Sequence, residues 1–279
     1  MNNTLGLRLL EDLFEAKTGQ RFPAKKNWRI DNSLTQVIKS HGLESIDELA
    51  TLLKRKRTPA LEQQIVDSIL NNESYFFRDR AMFDTLIDTA IPEIERRNGA
   101  KKHISIWSTA CSTGQEAYSL AILFAEQPAR WDGWTVSILG TDVSTKAVTA
   151  AREARFTPFQ IQRGLGATQM LRWFDEVGGD WVANNELRQM VRFEVHNVFD
   201  PPPGRGQFDL VLCRNMLIYF PGEKRTQIFA RLASAMAPEA WLMLGAGETI
   251  LGHTDRLIPD AEVPSLFRTP HDRTARATG

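Results

Sequence analysis

Two hydrophobic periods divide this chain. Between residues 5 and 70 apolar side chains recur at helical spacing: Leu5, Leu9, Leu10, Leu13 and Phe14, then Leu34, Val37 and Ile38, then Ile46, Leu49, Leu52 and Leu53. Ser45-Ile-Asp-Glu48 predicts a capping box for the third of these helices. Pro59 interrupts the pattern before Leu61, Ile65, Ile69 and Leu70 start another. No strand pattern occurs there, so residues 1–75 read as an N-terminal helical domain. Residues 76–102 read as a linker and connecting helix. From about residue 103 the period changes, with strands predicted at 103–107, 136–140, 191–196, 208–213 and 241–245. Helical segments near 115–127, 144–153 and 222–237 separate most of them. Such alternation predicts an α/β fold, a Rossmann-like parallel sheet covered on both faces over residues 103–268. Between 156 and 190 the alternation lapses, and Gly178-Gly179 marks a tight turn between two short strands of an inserted β-subdomain. Trp173 and Trp181 in this insertion either face a partner or pack it against the sheet. The polar tail 269–279 is expected to be disordered.

Composition narrows the setting. Lys+Arg and Asp+Glu each number 34, so net charge gives no general attraction for nucleic acid or for a membrane. Residues 1–60 are locally basic, with 11 Lys+Arg against 7 Asp+Glu and Lys54-Arg-Lys-Arg57 as the densest run. That run reads either as a surface for an acidic partner, together with Lys25 and Lys26, or as a solvated helix C-terminus. Cys111 and Cys213 fall in predicted buried segments and form no disulfide framework or metal-ligand pair, which fits a reducing cytoplasm. The start Met-Asn-Asn-Thr lacks the regions of a signal peptide, and no apolar run approaches the roughly 20 residues that span a bilayer. The expectation is a soluble cytoplasmic protein with no membrane insertion.

Candidate chemistry concentrates after the first strand. Ile104-Ser-Ile-Trp-Ser-Thr-Ala-Cys-Ser-Thr-Gly-Gln-Glu-Ala-Tyr118 reads as strand, tight loop and helix, the place where a doubly wound sheet binds a nucleotide-type cofactor. A pyrophosphate loop needs several glycines; here only Gly114 is one, and the carboxylate Glu116 opens the helix. The loop therefore suits a cationic nucleoside without phosphate, and S-adenosylmethionine (SAM) fits that description. Leu139-Gly-Thr-Asp142 ends the second strand on an acid that either accepts the ribose hydroxyls or caps the next helix. Phe208-Asp-Leu-Val-Leu-Cys-Arg-Asn-Met-Leu-Ile-Tyr219-Phe carries a strand toward the same crevice. Asn71-Asn-Glu-Ser-Tyr-Phe-Phe-Arg78 reads as a helix end or as a flap whose Arg78 reaches a carboxylate.

Five co-ordered segments resemble the chemotaxis receptor methyltransferase family, CheR: Asn72-Glu-Ser-Tyr-Phe-Phe-Arg78, Ser112-Thr-Gly-Gln-Glu116-Ala-Tyr-Ser, Thr141-Asp142, His196-Asn197-Val198 and Cys213-Arg-Asn215-Met-Leu-Ile-Tyr219-Phe. The resemblance implies methyl transfer from SAM to glutamate side chains of chemoreceptors, with the receptors' cytoplasmic domain and regulatory proteins as partners. It implies that Glu116 meets the amino group of the methionine moiety and Asp142 the ribose. Asn197 and Val198 would border the adenine, Arg214 and Asn215 the remaining cofactor edge. Asn72, Ser74 and Arg78 would contact the cofactor from the linker, and Arg78 and Tyr219 would flank the methyl group as catalytic residues. Ser74 stands where Thr is common in the family, and 27–41 is poorer in arginine than the family's basic second helix. Some family members dock a receptor tail peptide on the inserted subdomain; the short connection here predicts recognition without a tail.

The expected chemistry matches the residue inventory. A glutamate, with a pKa of roughly 4.3, is already ionised at neutral pH, so attack on a sulfonium methyl needs no general base. Orientation of two reactants supplies roughly 7–11 kcal/mol in favourable cases, and no metal is required. The alternatives are a methyltransferase with another substrate, or a SAM-binding signalling module without turnover.

Overall fold

The computed structural model describes residues 4–23 and 27–270. The expectations for the first residues, Lys25 and Lys26, and the tail from residue 271 lie outside that range. Four helices come first: α1 (Thr4–Thr18), α2 (Asn27–Ser40), α3 (Ile46–Arg55) and α4 (Pro59–Ile69). Their apolar stripes meet in one cluster in which Leu10, Leu34, Leu49 and Ile65 are fully buried. Leu5, the first residue of the predicted stripe, is instead exposed. Ser45 caps α3 by accepting from Glu48 N at 3.2 Å, but the Glu48 carboxylate accepts from Glu44 N rather than from Ser45 N, so the reciprocal half of the box is displaced by one residue. Pro59 lies in the first turn of α4, where a missing N–H costs no helix bond, and Thr58 Oγ1 accepts from Leu61 N.

The chain continues through α5 (Arg80–Thr85), a π-helical turn (Leu86–Ala90) and α6 (Ile91–Asn98) into β1 (His103–Thr109), α7 (Gln115–Ala125), β2 (Thr135–Asp142) and α8 (Thr145–Glu153). The inserted region holds β3 (Arg155–Phe156), α9 (Pro158–Gln162), α10 (Ala167–Trp173), β4 (Phe174–Val177), β5 (Asp180–Ala183) and α11 (Asn185–Met190). The core then resumes with β6 (Val191–Val195), β7 (Phe208–Cys213), α12 (Gly222–Ala235) and β8 (Met236–Leu244), and ends with β9 (Ile258–Pro259) and β10 (Leu266–Arg268).

Seven strands form one sheet in the order β6-β2-β1-β7-β8-β10-β9. The five strands read from the sequence are its five mutually parallel members, and β10 runs antiparallel to β8 and β9. Side chains alternate between two layers, as strand geometry requires. Ile104, Ile106, Leu210, Leu212, Trp241 and Met243 face one layer. Trp107, Val211, Cys213, Leu242 and Leu244 face the other, closed by Ile228, Phe229 and Leu232 of α12. The predicted boundary between α12 and β8 moves: the helix stops at Ala235 and the strand begins at Met236. Pro238 explains this, because proline cannot sit in a helix interior and holds Ala237 extended.

In the insertion β5 pairs with β3 on one side and β4 on the other. Gly178 and Gly179 both have positive φ, 65° and 85°, as a tight two-residue hairpin demands. Trp173 is buried in the main core, and the partly buried Trp181 packs against that core.

Strand order reverses at β1, and in such sheets the ligand crevice lies outside the carboxyl ends of the strands at that point. The helical module closes over this end. Asp67 of α4 accepts from Thr145 N at 3.1 Å, from Thr145 Oγ1 and from Lys146 N at the start of α8, while Gln63 donates to Val143 O at 3.2 Å.

Candidate active site

Leaving β1, the chain takes positive φ at Ala110 (52°), Ser112 (52°) and Gly114 (93°). Left-handed backbone costs an L residue roughly 1–2 kcal/mol, so two of these three positions need outside support. Cys111 N donates to Thr141 O at 2.9 Å, Ser112 N to Asp142 Oδ2 at 2.9 Å, and Ser112 Oγ to Asn72 O at 2.7 Å. Of the eight non-glycine residues with positive φ among the described residues, Ala110, Ser112 and Asn215 line the crevice, and Phe77 and Asp79 flank its Arg78. Strain of this kind persists only where the surroundings over-determine it, and it concentrates at functional sites.

Asp142 ends β2 almost fully buried, and its other oxygen accepts from Ser144 N at 2.9 Å. Ser144, not Asp142, caps α8, with its hydroxyl accepting from Ala147 N. The capping alternative for Asp142 thus falls away, and the acid faces the crevice. Burial pushes its carboxyl above the usual range, while the N–H groups of Ser144 and Ser112 pull it back down.

Glu116 opens α7 and is held from two sides. Ser108 Oγ donates to it at 2.8 Å and the Arg214 guanidinium at 2.9 Å. Arg214 also donates to Arg78 O at 2.6 Å and to the Asp79 carboxylate at 2.9 Å. Its side chain is 2% exposed, so one buried cation ties the β1 loop, the linker and the β7 loop together.

The linker supplies the outer wall. Arg78 is half-buried; its guanidinium donates one hydrogen bond, to Glu73 O at 3.3 Å, and lies over the Tyr75 ring. Asn71 Nδ2 donates to the Tyr219 hydroxyl at 2.9 Å, and Asn72 Nδ2 to Ser144 Oγ at 3.4 Å. Opposite, Asn197 Nδ2 donates to Lys17 O at 2.8 Å and its Oδ1 accepts from Phe199 N. Arg21 N donates to Tyr219 O at 2.9 Å. A single cleft is lined by every site residue expected from the sequence: Asn72, Ser74, Arg78, Glu116, Asp142, Asn197, Val198, Arg214, Asn215 and Tyr219.

Sequence reasoning missed four contributors. Thr18 and Gln20 of the helical module also line the cleft, which no local pattern signals. Asn71 was quoted only as part of its segment. Glu248 accepts backbone N–H groups beneath the β7 loop; its one signal is a carboxylate placed directly after Gly-Ala-Gly at the end of a strand.

The cleft fits a cationic nucleoside. It offers the carboxylates of Glu73, Glu116 and Asp142 and no run of glycines for a phosphate. Five buried side-chain polar atoms lack a partner among the described residues, and two of these, Arg214 Nε and His196 Nδ1, belong to cleft-lining residues. Buried polar atoms without partners, a donor at Arg214 Nε and an acceptor at His196 Nδ1 whose ring donates from Nε2 to Pro201 O, cost free energy unless a ligand meets them. Cys111, also on the wall, is a free buried thiol whose pKa burial pushes well up, as it does for Cys213.

Comparison with known proteins agrees with this geometry. Residues 72–262 match the family model described as the CheR methyltransferase, SAM binding domain. The chain is similar to chemotaxis protein methyltransferase 1 of Pseudomonas aeruginosa, 32% identical over 246 residues that cover 87% of this chain and 89% of that one. It is also similar to a chemotaxis protein methyltransferase of Vibrio parahaemolyticus, 31% identical over 245 residues covering 87% and 88%.

Proposed function

The chain belongs to the CheR methyltransferase family, and from that premise we propose how its site works. The protein transfers the methyl group of SAM to glutamate carboxylates of chemoreceptors, forming methyl esters that serve sensory adaptation. SAM supplies an electrophilic methyl on a sulfonium; the residues of this chain hold, orient and dry the reaction. Asp142 accepts the ribose hydroxyls through the lone pairs not used by Ser112 N and Ser144 N. Glu116 would draw the ammonium, and Arg214, whose Nε is unpartnered, would meet the carboxylate of the same moiety. Asn72 and Ser74 close the cofactor from the linker. Val198 borders the adenine with Asn197, which is itself anchored to the helical module by Lys17 O.

The acceptor carboxylate needs no base, since it arrives ionised. Its oxygen forms the bond to the methyl carbon as the bond from carbon to sulfur breaks and the pair stays on sulfur, so no proton moves. Arg78 holds the acceptor, because its planar fork is committed to a single long hydrogen bond. The Tyr219 hydroxyl accepts from Asn71, which leaves its own proton to point at the reacting atoms. The observation that carries this reading is the convergence of Arg78, Tyr219, Glu116 and Asp142 on one cleft.

The partner is the cytoplasmic domain of a chemoreceptor, which places the enzyme in the cytoplasm; among the described residues no helix is long and apolar enough to cross a membrane. The inserted sheet ends on the four-residue strand β4, a short edge for an incoming peptide, which supports recognition without a receptor tail. Incubation with labelled SAM and receptor-bearing membranes tests the function. Base-labile label in the receptor is expected; base-stable label, or none, overturns it.

A further inference from the structure

We propose that Glu248 is a positioning residue for Tyr219: a part-buried carboxylate that sets the β7 loop so that the tyrosine hydroxyl meets the reacting atoms. The inference rests on the reading of Tyr219 given above. Beyond β8 the chain turns at once, with Glu248 N donating to Gly245 O at 3.0 Å. The turn aims the Glu248 side chain back across the sheet end. Its Oε2 accepts from Gly245 N at 2.8 Å and Asn215 N at 3.0 Å, and its Oε1 from Leu217 N at 2.8 Å. A Cβ at Gly245 would lie 2.7 Å from Glu248 Oε2 and 2.8 Å from Asn215 N, so the approach of the two loops depends on that glycine.

No basic side chain pairs with Glu248 among the described residues; backbone N–H groups alone neutralise it. An anion taken out of water this way is costly for the fold, and burial correspondingly raises its pKa. What it secures is geometry. Asn215, in left-handed backbone (φ 56°), and the short 3-10 turn Leu217–Tyr219 start from its two oxygens. The far end of that turn is fixed by Arg21 N on Tyr219 O, and the ring's tip by Asn71. Glu248 is thus the inner of three anchors on a tyrosine whose placement decides the rate.

Backbone N–H groups of Gly245, Asn215, Leu217 and Ile218 converge on the carboxylate, and that makes the role testable. In E248Q one oxygen becomes an NH2, which cannot accept, so an N–H of the β7 loop loses its acceptor whichever way the amide turns. The variant therefore loosens the path leading to Tyr219. A misplacement of this kind lowers turnover by on the order of 10²-fold. The experiment measures kcat at saturating SAM and receptor, and SAM affinity by calorimetry, for wild type, E248Q, Y219F and the double variant. Expected are a fall in kcat for E248Q with SAM affinity retained, and no further fall when E248Q is added to Y219F. An unchanged kcat, a loss confined to SAM affinity, or full additivity in the double variant overturns the inference while the reading of Tyr219 stands. A wild-type rate in Y219F overturns both. Should E248Q not fold, E248D, with its charge one methylene short, carries the same expectation and the same refutation.

Discussion

Replacing Asp142 by Asn changes one atom on the wall of the cleft and leaves β2 in place. The carboxylate accepts Ser112 N and Ser144 N, one on each oxygen, at 2.9 Å. An amide keeps one acceptor and turns its NH2 against the other N–H, so a backbone donor is orphaned and fewer lone pairs remain for the ribose. Hydrogen bonds to charged groups are worth roughly 1.5–3 kcal/mol, and the loss of one corresponds to about 10- to 150-fold in Kd for SAM. The pH dependence has a definite sign. Burial raises the folded-state pKa of Asp142 above its unfolded value, so its ionised form opposes folding and its contribution to stability improves as pH falls through that raised pKa. Binding responds the other way, because ribose hydroxyls donate to the ionised form. Wild-type affinity falls on acidification, and binding near the raised pKa releases protons. Calorimetric titration with SAM, stepped from neutral to acidic pH in two buffers of different ionisation heat, measures both effects. D142N binds weakly and lacks this part of the slope. An unchanged Kd in D142N, or an identical slope in variant and wild type, refutes the reasoning.

Three other predictions follow from the same geometry. Y219F and R78K lower methyl-transfer rates at saturating SAM more than they lower SAM affinity, Lys being unable to reproduce the arginine fork; wild-type rates in both would reduce these residues to scaffold. G164A destabilises the protein by about 1–3 kcal/mol or more, since its Cβ would lie 1.8 Å from Phe76 O on a backbone with φ +100°; a wild-type thermal midpoint would refute the contact between the insertion and the linker. Charge reversal at the exposed Lys54, Arg55 and Lys56 slows receptor methylation at low salt, and the difference fades as ionic strength passes ~0.1 M, where the Debye length is ~10 Å; rates insensitive to both would assign the run to helix capping and solvation.

The parallel strands were legible because their central residues are buried and mostly apolar, β7 being buried from end to end with Asp209 as its one charge. The glycine-poor loop was legible as chemistry, and the glycine pair as a hairpin. Other features depend on partners distant in sequence. Whether Asp142 capped a helix was open until Ser144 took that task. Thr18 and Gln20 reach the cleft because their segment is tied to Asn197, Tyr219 and Lys224, and contacts between residues so far apart in sequence leave no periodic trace. The strands β9 and β10, of two and three residues, are too short to show alternation. Glu248 went unread because its acceptors serve backbone groups, which every residue possesses.

The shared walls of the cleft bear on how this enzyme can be re-engineered or can diverge. Asn197 is anchored by Lys17 O, Tyr219 by Arg21 N and Asn71, and the β1 loop by Asn72 O. The helical module is consequently no detachable adaptor. Grafting another protein's module onto residues 103–270 would exchange part of the cleft wall, including Thr18, Gln20, Asn71 and Asn72. A change in receptor preference drawn from this region therefore has to arise on its outer surface, one side chain at a time, while the inner strip from Lys17 to Arg21 is kept.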